Sequence, residues 1–350
     1  QMGGHSLKAT LLAAKIQTVF NVTMPLVEVF KKTTIKEQAE YINQIKHQKK
    51  HAAIHPKNLV PIRQNSPGDH HLFFVHDGSG EIDGYIEFCE CLTAKFNYWG
   101  IQMDKMGSYA SYAPQNRAIE EIACEYIKKI KKVQPHGPYY ICGWSLGGTI
   151  AVEIVNQLEH ENQVVSFLAL IDVTSPPGHS PKNEIDFTMQ TESEWIKRYL
   201  GDSDEIKRII AKNAGIRQLW NDVVDYLAAQ PGHDWEAIKK SIPPGIARVI
   251  PNFHRLEIKQ AIYYLNRIRS LNNARNRYTP GEKPATAAHF FAADRSVVLT
   301  GSHWAEYFQK PLKIHKIKGD HFSIFQKPEV IEFARIFEQV LQEVEKPFKS

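Results

Sequence analysis

Tyr139-Tyr140-Ile141-Cys142-Gly143-Trp144-Ser145-Leu146-Gly147-Gly148 runs from a short apolar strand, through a turn of small residues, into the periodic pattern of a helix over Gly147–Leu158. A serine carried on a glycine-rich turn between strand and helix is the GxSxG pattern in the context it requires. So tight a turn holds the serine in strained backbone and leaves its hydroxyl clear. Small residues at 143, 147 and 148 let neighbouring backbone pass close. The helix behind the serine offers amides and a positive dipole end to a developing oxyanion. The bland reading is a small-residue strand-to-helix turn without catalysis; the pattern standing in its required context favours the nucleophile.

Outward from this turn, apolar runs alternate with helical patterns. Leu72–Val75, a run from Phe96 to Ile101, Val164–Ile171, Ala288–Ala292 and Leu312–Ile317 read as strands, and Ile119–Val133 and Val330–Val344 as helices. Such alternation predicts an α/β fold with a mainly parallel sheet. From about Lys182 to Pro284 the strands stop. Glu194–Leu200, Ser203–Lys212, Leu219–Ala229 and Phe253–Asn272 all read as helices, so this stretch is a helical insertion at one edge of the sheet. Towards the amino terminus, Leu7, Leu11, Leu12, Ile16 and Phe20 form the stripe of an amphipathic helix beginning at Ser6. Two shorter helical patterns follow at Leu26–Phe30 and Ile35–Ile45, the second begun by the cap candidates Thr33 and Thr34. The basic, histidine-rich, proline-containing stretch from His47 reads as a linker, giving an amino-terminal unit over 1–46, a linker over 47–70 and the α/β unit over 71–350.

Composition narrows the function classes. Forty-three basic against 38 acidic residues leave +5 over 350 residues, too near balance to argue for nucleic acid or a membrane surface. The apolar run Val164–Ile171 falls far short of the ~18 residues of a membrane helix. Cys89, Cys91, Cys124 and Cys142 form no CxxC pair, and the first residues lack the layout of a signal peptide. A disulfide scaffold, a cysteine-based metal site and export are disfavoured, and the chain reads as cytoplasmic.

A nucleophilic serine needs a base, and the base an orienter. His321 follows the strand Leu312–Ile317 through Gly319-Asp320, at the carboxyl end where such sheets gather ligand-facing groups. His303 and His315 are weaker rivals, one near a helix start and one within a strand. Two acids end strands, Asp172 in LALIDVTSP and Asp294 in FFAADRS, and the order Ser, Asp, His holds for both. The amide of Leu146 is one oxyanion donor. The second belongs in His76-Asp77-Gly78-Ser79-Gly80, from Ser79 or Gly78. Gly78, Gly80 and Gly84 after a strand raise a dinucleotide site, but the spacing departs from the fingerprint and no acidic residue closes a second strand. At the amino terminus Gly3-Gly4-His5-Ser6-Leu7 sets Ser6 at a helix head, where helix amides would stabilise a phosphorylated serine. A plain serine N-cap explains the same residues.

GGHSL followed by short helices resembles the peptidyl carrier protein of a nonribosomal peptide synthetase, from its phosphopantetheine-bearing serine onward. GWSLGG, LIDVTSP and GDHFSIF, with a helical insertion between the last two, resemble the type I thioesterase of such assembly lines, an α/β-hydrolase fold. The resemblance implies 4'-phosphopantetheine on Ser6, a catalytic set of Ser145, Asp172 and His321, oxyanion amides from Ser79 and Leu146, and a lid at about 182–284. It also implies upstream condensation and adenylation domains in one longer polypeptide, cut at Gln1, and a phosphopantetheinyl transferase as partner. The activity implied is release of a peptidyl thioester by hydrolysis or macrocyclisation. A polyketide-type thioesterase, a stand-alone esterase or lipase, and an idle hydrolase-like binding module share many of these residues.

Overall fold

The apolar runs become the strands of one seven-stranded sheet: β1 (Leu59–Arg63), β2 (His71–Val75), β3 (Asn97–Ile101), β4 (Tyr139–Trp144), β5 (Val165–Ile171), β6 (Ala288–Ala293) and β7 (Lys313–Ile317). A computed structural model describes residues 6–345, except 21, 23, 49–55, 57, 67, 69, 104–110, 175–184, 230–237, 241, 243, 251–252 and 297–300. The strand order is β1-β3-β2-β4-β5-β6-β7, with β1 antiparallel to β3 and every other pair parallel. Successive side chains of a strand point to opposite faces, so Leu72 and Phe74 enter one core while Phe73 and Val75 enter another. Both faces are covered, as a parallel sheet requires.

The helices are α1 (Ser6–Phe20), α2 (Leu26–Lys31), α3 (Ile35–Gln48), α4 (Gly84–Cys91), α5 (Ile119–Val133), α6 (Leu146–His160), α7 (Met189–Leu200), α8 (Asp204–Lys212), α9 (Ile216–Ala229), α10 (Pro244–Val249), α11 (Ile258–Arg277) and α12 (Glu329–Glu345). Thr34 caps α3 reciprocally: its hydroxyl accepts from the Glu37 amide, and its own amide donates to the Glu37 carboxylate. Helices α7 to α11 occupy the predicted insertion and pack around their own buried residues, Trp220 and Leu219 in one cluster and Leu265 and Ile268 in another. Residues 182–184 and 230–237 of that insertion lie outside the described residues.

Two elements depart from the sequence reading. Residues 59–63, placed in the linker, form β1, with Pro61 opposite Trp99. A proline lacks a ladder donor and is tolerated here because β1 is an edge strand. The apolar segment after the His76–Gly80 loop also forms a helix, α4, which the sequence reading left unassigned. Of the amino-terminal helices, Ala9, Ile16, Leu26 and Val29 share one apolar cluster with Ile62, Ile86 and Leu92, and α2 lies against β1 and α4.

Aromatic packing fixes the carboxyl end of the sheet. Phe88 of α4 stacks on Phe333 of α12 at 4.6 Å between ring centres, and Phe325 meets Phe88 at 5.6 Å and Trp144 at 4.8 Å. Each such buried ring contributes about 1.5–3 kcal/mol. Together they seat the loop that follows β7.

Candidate active site

Ser145 stands between β4 and α6 at φ 55° and ψ −128°, a left-handed conformation that a β-carbon makes costly. Its amide donates to the Ile171 carbonyl at 3.0 Å, which ties the turn to the neighbouring strand. The turn closes only because its flanks are glycine. A β-carbon on Gly143 would meet the Gly147 carbonyl oxygen at 2.2 Å, and one on Gly147 would meet the His76 carbonyl oxygen at 2.1 Å.

His321 arrives from the far side of the sheet. Its Nε2 lies 3.0 Å from Ser145 Oγ, and its Nδ1 lies 2.6 Å from Asp172 Oδ2. The ring sits between aromatic walls, Trp144 at 5.3 Å tilted by 39° and Phe322 at 5.1 Å nearly perpendicular. Its loop is locked by Asp320, whose Oδ1 accepts from the Phe322 amide at 2.9 Å and the Ser323 amide at 3.0 Å, while the Asp320 amide donates to Ser323 Oγ at 2.8 Å. Those amide donors hold the Asp320 carboxyl below its usual pKa.

The two acids now separate. Asp172, 2% exposed, also accepts from Ser296 Oγ at 2.7 Å on the oxygen that meets His321, and from the Ala293 amide at 3.3 Å on the other. It sits at φ 43°, so backbone strain is spent on aiming it. Asp294 is exposed, and its Oδ1 accepts from the Gly319 amide at 3.0 Å. Thus Asp294 anchors the loop that carries His321, one step removed from the imidazole. Of the rival histidines, His315 lies in β7 with its Nε2 3.1 Å from His289 Nδ1, and His303 lies in the 3₁₀ turn Gly301–Tyr307.

The loop expected to supply the second oxyanion donor, from Ser79 or Gly78, has most of its amides bonded within itself. The Ser79 amide is already committed, donating to Asp77 Oδ1 at 2.8 Å, and Ser79 Oγ donates to the same oxygen at 2.5 Å. The Asp77 amide donates to the Glu81 carbonyl at 3.3 Å and the Gly80 amide to the Asp77 carbonyl at 3.1 Å. Among the described residues, the Gly78 amide, the alternative of the sequence reading, makes no such bond within this loop. The Asx turn made by Asp77 is the physical reason. Burial pushes the Asp77 carboxyl up to about 6, against the hydrogen bonds from Ser79. Burial also lowers His76 to about 4; its ring spans the Asp77 carbonyl at 2.6 Å and Tyr126 Oη at 2.7 Å.

Sequence reasoning missed Tyr85 and Ser296. Tyr85 Oη accepts from the Trp144 amide at 2.7 Å and donates to the Val75 carbonyl at 2.8 Å, which stitches the end of β2 to the end of β4 just before the serine. Neither residue carries a local signal, since each acts on a partner distant in the chain. A cavity of about 510 Å³ opens beside this assembly, bordered by Asp77, Trp144, Arg248, Phe322, Phe325 and, from α2, Phe30. Ser6 is the first residue of the fifteen-residue helix α1. Residues 3–5 of the GGHSL motif lie outside the described residues.

A thioesterase domain family model matches residues 70–339, most of the chain. The chain belongs to the thioesterase domain family. A phosphopantetheine attachment site model matches residues 1–42, so this thioesterase follows a carrier region for covalently held phosphopantetheine. Among relatives, the chain is similar to malpibaldin synthetase of Mortierella alpina, 30% identical over 53% of this chain and 3% of the synthetase. It is also similar to vanchrobactin synthetase VabF of Vibrio anguillarum, 25% identical over 70% of this chain and 9% of that protein. Atromentin synthetase nps3 of Serpula lacrymans is 24% identical over 98% of this chain and 34% of its own length. The chain therefore spans a small part of the multidomain synthetases it resembles. Among solved structures, the four-domain nonribosomal peptide synthetase AB3403 superposes with TM-score 0.59 at 23% identity, over 96% of this chain and 24% of that one. The Vlm2 thioesterase domain superposes with TM-score 0.52 at 19% identity, over 81% and 96%. The fold is thus the α/β-hydrolase fold of synthetase thioesterases, and no described helix is long and apolar enough to cross a membrane.

Proposed function

We propose that this thioesterase releases a peptidyl chain from a carrier-bound thioester through an ester on Ser145, by hydrolysis or by cyclisation. The observation that carries the reading is the continuous relay from strained Ser145 Oγ through His321 to buried Asp172. In this reading Ser145 Oγ attacks the thioester carbonyl carbon while its proton passes to His321 Nε2. Asp172 holds the Nδ1 proton and stabilises the imidazolium. The amides of Leu146 and Gly78 hold the oxyanion, and each such donor supplies about 100- to 1000-fold in rate. The C–S bond then breaks, and the departing sulfur takes the proton from His321. Water, or an amine or hydroxyl of the acyl chain itself, next attacks the ester and gives its proton to His321. The C–O bond to Ser145 breaks and the serine regains its proton.

Ser6 is the residue proposed to hold phosphopantetheine, which supplies the thiol that carries the acyl chain as a thioester. A phosphopantetheinyl transferase would load it, and adenylation and condensation domains would stand upstream in the same polypeptide. Mass spectrometry tests both halves. Coenzyme A with a transferase adds one arm, which Ser6→Ala abolishes. An acyl-N-acetylcysteamine thioester leaves an acyl group on the protein that Ser145→Ala eliminates; a retained adduct refutes the nucleophile. The released product, free acid or ring, separates the two fates.

A further inference from the structure

The insertion helix α11 sends Arg267 down into the catalytic layer. This arginine is 7% exposed, and its Nη1 donates to the Ser79 carbonyl at 3.1 Å and to Glu81 Oε1 at 3.0 Å. Its Nη2 donates to Tyr263 Oη at 2.5 Å, and its guanidinium lies 4.6 Å from the Tyr263 ring centre and 5.3 Å from that of Tyr264. Tyr264 Oη donates in turn to Glu81 Oε1 at 3.0 Å. Glu81 is 3% exposed, so a full ion pair has been taken out of water. A buried ion pair contributes little or nothing to net stability compared with apolar residues of the same volume. Stability alone therefore does not explain it; what it fixes is geometry.

The loop it fixes is the one that holds Gly78. From below, the His76 amide donates to the Ile101 carbonyl at 3.0 Å and the Met103 amide to the Gly80 carbonyl at 3.0 Å. From above, Arg267 takes the carbonyl of Ser79, the residue next to Gly78, and the side chain of Glu81. The sequence makes room for this grip. Gly80 lies at φ 83°, and a β-carbon there would stand 2.8 Å from Arg267 Cδ.

We propose that Arg267 is a positioning residue that, through the Ser79 carbonyl and Glu81, holds the loop 76–81 with the Gly78 amide aimed at the oxyanion. This rests on the reading of Ser145 and Gly78 given above. The insertion thus acts on the chemical step. A small misplacement of such a donor costs up to about 100-fold in rate.

The test uses the full chain, a fluorophosphonate probe, and octanoyl-N-acetylcysteamine as a generic thioester. Wild-type labelling that Ser145→Ala abolishes checks the proposed function by itself; absence of that labelling fails that reading whatever Arg267 does. Arg267→Met leaves Glu81 charged and buried, so Arg267→Met combined with Glu81→Gln is the charge-free companion. The companion variant is expected to keep a wild-type melting temperature within a few degrees and a KM within about twofold, while labelling and kcat both fall about 10- to 100-fold. Arg267→Lys, which can reach one acceptor but not both, recovers part of the loss. A folded charge-free variant with wild-type labelling and kcat overturns the proposal. So does failure of both charge-altered variants to fold, which makes the pair a structural brace.

Discussion

Replacing Asp172 by asparagine removes one proton acceptor and adds a donor at the most crowded point of the relay. Asp172 Oδ2 faces His321 Nδ1 at 2.6 Å and Ser296 Oγ at 2.7 Å, so a carboxylate oxygen there accepts from both. An amide NH₂ in the same place can only donate, and the imidazole must present a bare Nδ1 to it. That tautomer carries its proton on Nε2, the atom 3.0 Å from Ser145 Oγ, and leaves no base for the serine. The expected loss is about 10⁴ in kcat, or roughly 5.5 kcal/mol of transition-state stabilisation. Asp294→Asn keeps an oxygen for the Gly319 amide and should change kcat by less than about threefold. Single-turnover acylation by a thioester, read beside thermal melts of both variants, separates chemistry from unfolding. An Asp294→Asn loss as large as that of Asp172→Asn, or a folded Asp172→Asn enzyme within tenfold of wild type, refutes the reasoning.

Tyr85→Phe deletes one hydroxyl but strands two buried groups, the Trp144 amide and the Val75 carbonyl, so stability should fall by about 2–4 kcal/mol, read as a drop in the urea midpoint. Acid should also weaken the fold. Burial holds His76 and His289 at about 4, below their unfolded value near 6.5, so the stability they confer is complete above about 6.5 and drains away as pH falls towards 4. Asp77, raised to about 6, works the other way and gains on protonation over the window from about 6 down to 3.8. Denaturation midpoints between pH 7.5 and 4.5 should therefore fall, and fall more steeply in Asp77→Asn; a flat profile contradicts the assignment.

The serine turn was legible because its chemistry is local: strand, tight turn and helix occupy ten consecutive residues, Tyr139–Gly148, and their spacing cannot vary. His321 was legible for a similar reason, as the first histidine past a strand's carboxyl end. The choice of acid was not, since Asp172 and Asp294 end adjacent strands. What divides them is which loop turns inward, and that depends on φ 43° at Asp172 and on Ser296 folding back over it. The choice between Ser79 and Gly78 was hidden by a two-residue contact, Asp77 onto the Ser79 amide, which composition does not reveal. β1 escaped because Pro61 and its basic, histidine-rich neighbours carry the marks of a linker, while an edge strand tolerates both. Ion pairs such as Arg267 with Glu81 join positions 186 apart in the chain and leave no periodic trace.

The apolar cluster shared by α2, β1 and α4 bears on how such a thioesterase can be moved between polypeptides. A chimera spliced between α3 and β1 would set a foreign α2 on this edge of the sheet. It would also change the residue at Phe30 that borders the cavity beside Trp144. Moving the carrier helices and the hydrolase as one cassette keeps that seam intact. The cut that leaves this seam undisturbed therefore lies outside the pair, before α1 or after α12.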